Sequence, residues 1–259
     1  MNEERLEQLI AFLEEERGET YVRPSSYDDL FALYRGLVNM RYPDPVPLEI
    51  LKIEDDMLQH EAKAKGIVTD SCFPEGLSLW QGDITRLGVD GIVNAANNQL
   101  LGCFHPGHHC IDNAIHTYAG MRLRLACYSL MQKQGALEQT GKAKITPGYN
   151  LPCRYVLHTV GPIVTKELTS KECLLLASCY ESCLRLAELH GLRSLAFCCI
   201  STGVFHFPHD QAARIAIETV QNYLKKTGCQ MKVIFNVFKE EDREIYRQLL
   251  SDQAWVKIS

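Results

Sequence analysis

The sequence predicts an α/β fold, a sheet with helices on both faces, preceded by a helical extension. Three observations carry that expectation. From Leu77 onward the short apolar runs LSLWQG, GIVNAA, RYVLHTV, SLAFCCI and MKVIFNVF alternate with stretches of helical periodicity. Two of these runs, SLAFCCI and MKVIFNVF, are apolar at consecutive positions, as central strands are when helices cover both sides of the sheet. The first 70 residues carry helical periodicity instead.

Taken in order, residues 3–17 place Leu6, Leu9, Ile10 and Leu13 at helical spacing, and Tyr27, Leu30, Phe31, Tyr34, Leu37 and Val38 repeat the pattern. Pro43, Pro45 and Pro47 interrupt it, because each ring fixes φ and removes a backbone donor. A third helix is expected from about Leu48 to Lys65, which divides the chain into an extension at 1–70 and a main domain at 71–259. In the main domain helices are expected over Ile111–Gln134, Lys171–His190, His209–Lys226 and Glu240–Leu250, with the apolar runs as strands between them. No internal repeat or low-complexity segment interrupts this order.

With 259 residues and 46% hydrophobic content, the chain can bury one large core and a smaller appendage. A net charge of -5 and a pI near 6.0 provide no field to attract a nucleic-acid backbone, so no such partner is expected. The Glu-rich amino terminus lacks the basic start and apolar run of a secretory signal, and no segment reaches transmembrane length. The expected location is cytoplasmic, with no membrane partner. The 11 cysteines, an odd number, then read as thiols and metal ligands rather than a disulfide framework.

In sheets of this type ligands bind beyond the carboxyl ends of the strands. Three polar stretches fall there, QGDIT (81–85), NAANNQLLGCFHPGHHCIDN (94–113) and STGVFHFP (201–208), and together they would make one site. The second holds Cys103, His105, His108, His109 and Cys110 within eight positions. Two thiolates and one imidazole at C-x4-H-x-C spacing suit tetrahedral zinc with an open fourth position, with His105 and His109 as rival ligands. The plainer alternative is a cluster of reduced thiols and solvated histidines. Cys127, Cys153, Cys173, Cys179, Cys183, Cys198, Cys199 and Cys229 lie in apolar or helical contexts and read as core filler, and His116 as a packing or hydrogen-bonding histidine. Asp83 and Asp112 both occupy places that suit helix N-caps, and Asn97 suits a turn. Ser201, Thr202, Gly203, Val204 and Phe205 offer consecutive N–H groups ahead of a helix, a cradle for a diphosphate that needs no lysine.

QGDIT after the first strand, IVNAAN after the second, a loop ending in IDNAIH, and STGVFHFP after a buried strand occur in an order that resembles the macrodomain family over roughly residues 75–252. The resemblance implies a three-layer α/β/α sandwich with a central mixed sheet, and ADP-ribose as ligand. Most macrodomains are glycine-rich after NAAN, whereas this chain has Cys103, His108 and Cys110 there. That departure looks like the zinc-dependent branch, which also carries an N-terminal helical extension, and it favours His108 as the histidine ligand. The branch often neighbours a sirtuin-like transferase and a lipoylated carrier protein, which would make such a carrier the modified partner.

By the same resemblance Asp83 takes the adenine amine beside the Ile84 N–H, and Asn97 and Asp112 are the catalytic pair that orients the distal ribose and water, with Cys110 alongside. Ser201 to Phe205 hold the pyrophosphate, Phe205 covers the ribose, and His206 stands where macrodomains often have Gly. No second carboxylate in these loops pairs with Asp112 as glycosidases require, so metal and bound phosphate must do more. The expected activity is zinc-dependent removal of mono-ADP-ribose from a protein side chain, an acidic one, by cleavage of a glycosyl ester. Two alternatives stand beside it: a non-cleaving ADP-ribose reader braced by structural zinc, and an interaction protein that docks a partner on its N-terminal helices.

Overall fold

A computed structural model describes residues 2–251 and the backbone of a last strand at 256–258. Three helices open the chain, α1 (Asn2–Arg17), α2 (Tyr27–Met40) and α3 (Leu48–Ala64). Ser26 caps α2 by accepting from the Asp29 N–H, and the proline stretch separates α2 from α3. Leu6, Leu9, Ile10 and Leu13 bury against Leu30, Tyr34 and Leu37 of α2 and Met57 and Leu58 of α3. The apolar stripes seen in the sequence thus face one another in a small core of their own.

Beyond it follow β1 (Val68–Thr69), β2 (Leu77–Gln81), β3 (Leu87–Gly88), β4 (Gly91–Ala96), α4 (Ile111–Ala119), α5 (Met121–Gln134), β5 (Ala143–Pro147) and β6 (Tyr155–Val160). The chain then runs through α6 (Ser170–Leu189), β7 (Ser194–Phe197), α7 (His209–Thr227), β8 (Lys232–Val237), α8 (Glu240–Ser251) and β9 (Val256–Ile258). The main sheet has the order β5-β6-β4-β7-β8-β2-β9, parallel except where β5 meets β6, and β1 pairs separately with β3. It is a mixed sheet.

Crossover handedness assigns the layers. The β6–β7, β7–β8 and β8–β9 connections all advance in one direction along the sheet, so right-handed crossovers put α6, α7 and α8 on one face. The β4–β6 connection runs the opposite way and puts α4 and α5 on the other. The helices of the extension lie against that second layer, where Phe31 stacks on Tyr118 with ring centroids 5.7 Å apart. Leu195, Ala196 and Phe197 of β7 and Val233, Ile234 and Phe235 of β8 are buried between the layers, which accounts for their uninterrupted apolar runs.

Some expectations need correction. The helix read as continuous over Ile111–Gln134 is two helices, broken at Gly120 with φ 88°. A Cβ there would lie 2.7 Å from Glu54 Oε2, and that carboxylate accepts from the Met121 N–H at 2.8 Å, capping α5 from a different segment. Strand β5 was not anticipated, nor was the two-residue pair of β1 and β3. Cys173, Cys199 and Cys229 are half-buried at the margin of the core rather than inside it. Among the described residues no helix is long and apolar enough to cross a membrane.

Candidate functional site

The carboxyl ends of parallel strands β2, β4 and β7 share one edge of the sheet, so the loops after them converge by topology. After β4 the chain turns through left-handed residues Leu100 (φ 58°), Gly102 (φ 80°) and Gly107 (φ 64°). Gly102 is confined as well as turned, because a Cβ would fall 2.8 Å from the His116 ring. This path gathers Cys103, His108 and Cys110, whose donor atoms all lie within 4.8 Å of one another, and Cys103 Sγ is 3.5 Å from His108 Nδ1. His105 and His109 are exposed and lie outside the group.

The donor set fits a zinc ion. All three residues are half-buried, reachable yet partly shielded, and a tetrahedral site needs one more ligand than they supply. Burial pushes the Cys110 thiol up to about 12, and Cys103 beside it adds to the shift. A cation bound there would oppose that shift and draw the protons from the thiols. The N-cap of α4 is Cys110, whose Sγ accepts from the Asn113 N–H at 3.4 Å. Asp112, read as an N-cap, instead lies inside the first turn.

Asp112 is buried behind this loop. Asn94 Nδ2 donates to its Oδ1 at 2.8 Å, and Asn97 Nδ2 lies 3.5 Å from its Oδ2. Burial raises its carboxyl to about 6, against the lowering effect of the Asn94 hydrogen bond. Asn97 is committed to its own loop, donating to the Gly102 carbonyl at 2.9 Å and accepting from the Gln99 N–H at 3.0 Å. Below lie His116 and His158, both kept neutral by burial. His158 is 3.2 Å from Asn94 Nδ2 and 2.9 Å from Thr146 Oγ1, while among the described residues both ring nitrogens of His116 lack a hydrogen-bond partner. With Cys127 the two histidines form a second, fully buried group of potential ligands.

At the end of β2, Asp83 caps a short 3-10 turn at Ile84–Arg86, its Oδ1 accepting from the Thr85 N–H at 3.0 Å and the Thr85 hydroxyl at 2.7 Å. Its Oδ2 pairs with Lys65. Burial alone would raise this carboxyl, but Lys65 and Thr85 outweigh it and hold it below the ordinary carboxylate range. An anionic acceptor therefore stands at the sheet edge with one lone-pair position free on Oδ2. Phe238, directly after β8, is 75% exposed, and its carbonyl accepts from Gln81 of β2 at 3.4 Å.

After β7 the loop places Ser201 (φ 67°) and His206 (φ 56°) in the left-handed region. His206 thus adopts the backbone that glycine would supply without strain. The Phe207 N–H returns to the Ser201 carbonyl at 3.0 Å, and the Val164 N–H to the Phe205 carbonyl at 2.9 Å, closing the loop at both ends. Among the described residues, none accepts a backbone hydrogen bond from the N–H groups of Ser201 to Phe205. Gly203 faces open space, with no atom within 4 Å of a Cβ built on it. The result is a row of N–H groups without backbone acceptors, on a loop exposed at Gly203 and Val204 and suited to a diphosphate.

Reading the sequence did not single out Lys65, Arg35, Asn39, His158 or Phe238. The first three lie in the segment assigned to the extension, and only proximity in space brings them to these loops. Phe238 carried one signal, an aromatic directly after a buried strand.

Comparison with known proteins places these features in context. The family model described as "Macro domain" matches residues 93–216. A protein-ADP-ribose hydrolase of Staphylococcus aureus (strain MSSA476) is 49% identical over 261 residues, covering 98% of this chain and 97% of its own. The Oceanobacillus iheyensis macrodomain with ADP superposes with a TM-score of 0.62 at 38% identity, covering 67% of this chain and 89% of its own. The Trypanosoma brucei macrodomain in complex with ADP-ribose gives a TM-score of 0.63 at 30% identity and covers 83% of this chain and 94% of its own.

Proposed function

The chain belongs to the macrodomain family, and from that premise we propose that it is a zinc-dependent protein-ADP-ribose hydrolase acting on mono-ADP-ribose esterified to an acidic side chain. One observation carries the reading. The loops after β2, β4 and β7 bring the Asp83 carboxylate, a thiol–imidazole cluster and a row of N–H groups without backbone acceptors to one sheet edge, in a chain alike over 98% of its length to a protein-ADP-ribose hydrolase.

In this reading Asp83 Oδ2 accepts from the adenine amine, and Phe238 offers its exposed ring to the adenine face. The N–H groups of Ser201 to Phe205 bind the pyrophosphate without a lysine, which suits a chain of net charge -5. The distal ribose then reaches Asn97 and Asp112. Asn97 braces the loop that carries the metal ligands, and Asp112, held by Asn94, is the acceptor for a ribose hydroxyl or an attacking water. Cys103, His108 and Cys110 would hold zinc, which when bound would supply positive charge and Lewis acidity to the reaction.

The test is release of free ADP-ribose from proteins modified at Asp or Glu, and separately at Ser or Arg, before and after chelation and zinc restoration. Release from the acidic substrates that stops on chelation and returns with zinc supports the reading. Binding without release at any zinc level would instead establish a reader.

A further inference from the structure

The helical extension reaches the site at two separate places. From α2, Asn39 is 1% exposed, and its Oδ1 accepts from the Gly107 N–H at 3.1 Å and from Asn113 Nδ2 at 2.7 Å. One turn earlier, Arg35 donates through Nε and Nη2 to Asn113 Oδ1 at 3.0 and 2.8 Å, and through Nη2 to the His108 carbonyl at 3.1 Å. Asn113 in turn donates to the His105 carbonyl at 3.1 Å. Two backbone groups between Cys103 and Cys110 are thereby fixed by a helix more than 60 residues earlier in the chain, and a third, the His105 carbonyl, is held through Asn113.

The second contact follows α3. Lys65 pairs with Asp83 Oδ2, donates to Thr85 Oγ1 at 2.9 Å, and lies 3.5 Å above the Tyr118 ring. Tyr118 belongs to α4, the helix that Cys110 caps. The extension is also docked elsewhere: among the described residues Met121 alone joins its buried apolar cluster from beyond α3, Asp55 pairs with Arg122, and Arg124 donates to the Val38 and Asn39 carbonyls. Arg35 and Asn39 differ in that they bond the loop backbone at His108 and Gly107 together with Asn113 of α4, and Lys65 in that it bonds Asp83 and Thr85.

We infer that the extension completes the ADP-ribose site: Arg35 and Asn39 are positioning residues for the metal-ligating loop, and Lys65 is a positioning residue for the carboxylate that recognises adenine. The inference rests on the proposed roles of zinc and of Asp83. Its physical basis is that a ligand held in a left-handed, solvent-facing loop keeps its geometry only if the backbone around it is hydrogen-bonded, and outer partners of this kind typically change metal affinity about 10- to 100-fold. Asp83 likewise presents Oδ2 in one orientation only while Lys65 and Thr85 hold both oxygens.

The experiment uses the full chain with Arg35→Met, Arg35→Lys and Lys65→Met, and reads zinc affinity by competition with a chromophoric chelator. Affinities for adenosine and inosine diphosphates are measured by calorimetry, and thermal unfolding by circular dichroism. Arg35→Met is expected to weaken zinc binding about tenfold, with partial recovery in Arg35→Lys and an unchanged ratio of the two nucleotide affinities. Lys65→Met is expected to weaken adenosine diphosphate about tenfold, the inosine compound less, and zinc not at all. Losses of zinc and both nucleotides together, in step with melting temperature, would mean that the extension only stabilises the fold and would overturn the inference. So would wild-type values in both Met variants. Wild-type protein that takes up no zinc, or that does not distinguish the two nucleotides, is the separate failure of the underlying reading and removes the corresponding half.

Discussion

Cys103, His108 and Cys110 act through sulfur and nitrogen atoms that converge in space, so each substitution should remove metal rather than fold. Cys103→Ala and His108→Ala are expected to lose zinc measured by atomic absorption, while His105→Ala and His109→Ala, at exposed positions outside the group, retain it. Cys110→Ala should lose zinc and also about 1 kcal/mol of stability, because its sulfur caps α4. Retention of stoichiometric metal in both cysteine variants would refute the ligand set. At the other end of the site, Asp83→Ala removes a charged acceptor worth ~1.5–3 kcal/mol, so ADP-ribose affinity should fall by about one to two powers of ten in calorimetry. Gly203→Val tests the diphosphate cradle cleanly. The protein itself has room for the side chain, so melting should be unchanged while ADP-ribose binding weakens and zinc stays.

At the scale of elements, the junction between α4 and α5 is decided by a residue from α3. Glu54 is fully buried, accepts from the Tyr34 hydroxyl at 2.6 Å and from the Met121 N–H, and has its carboxyl raised to about 7, chiefly by burial. Because the folded pKa lies above the unfolded value of 4.5, the folded state binds the extra proton between these limits. The contribution is therefore fully present below about pH 4.5 and is lost as pH rises through about 7. Urea unfolding is expected to show stability declining across that window by about 3 kcal/mol from this group, and Glu54→Gln should flatten the slope. A slope identical in the variant would remove Glu54 from the account.

Across the whole molecule, the proposed function sets binding energy and chemistry apart. In the proposed reading adenine and pyrophosphate would be held by Asp83 and the loop at 201–205, whereas the thiol–imidazole cluster that would take zinc lies on the loop after β4. Chelation is therefore expected to abolish turnover while leaving most ADP-ribose affinity, provided circular dichroism shows the fold intact. Joint loss of binding and structure would favour a structural metal instead.

Much of this architecture was readable because it repeats locally. Helical stripes in the extension, apolar runs for β4, β7 and β8, and chemistry-bearing loops at strand ends all follow from periods of about 3.6 or 2 residues. Strand β5 escaped because AKITP is a half-exposed edge segment ending in proline, with little contrast between its faces. The break at Gly120 escaped because a lone glycine inside a helical pattern is common, and the group that decides it, Glu54, is far away in the sequence.

By itself the sequence determined which side chains can do metal and phosphate chemistry and which strand ends carry them, since residue type and local period need no knowledge of the fold. Only the tertiary structure grouped His108, and not His105 or His109, with Cys103 and Cys110, put Cys110 rather than Asp112 at the N-cap of α4, and linked Lys65 to Asp83 and Arg35 to the loop after β4. The reason is geometric. The direction of a loop side chain depends on backbone dihedrals such as those at Leu100, Gly102 and Gly107, and the loop is held by hydrogen bonds from groups about 70 residues away, such as Asn39 to Gly107 and Arg35 to His108, which leave no periodic trace in the chain.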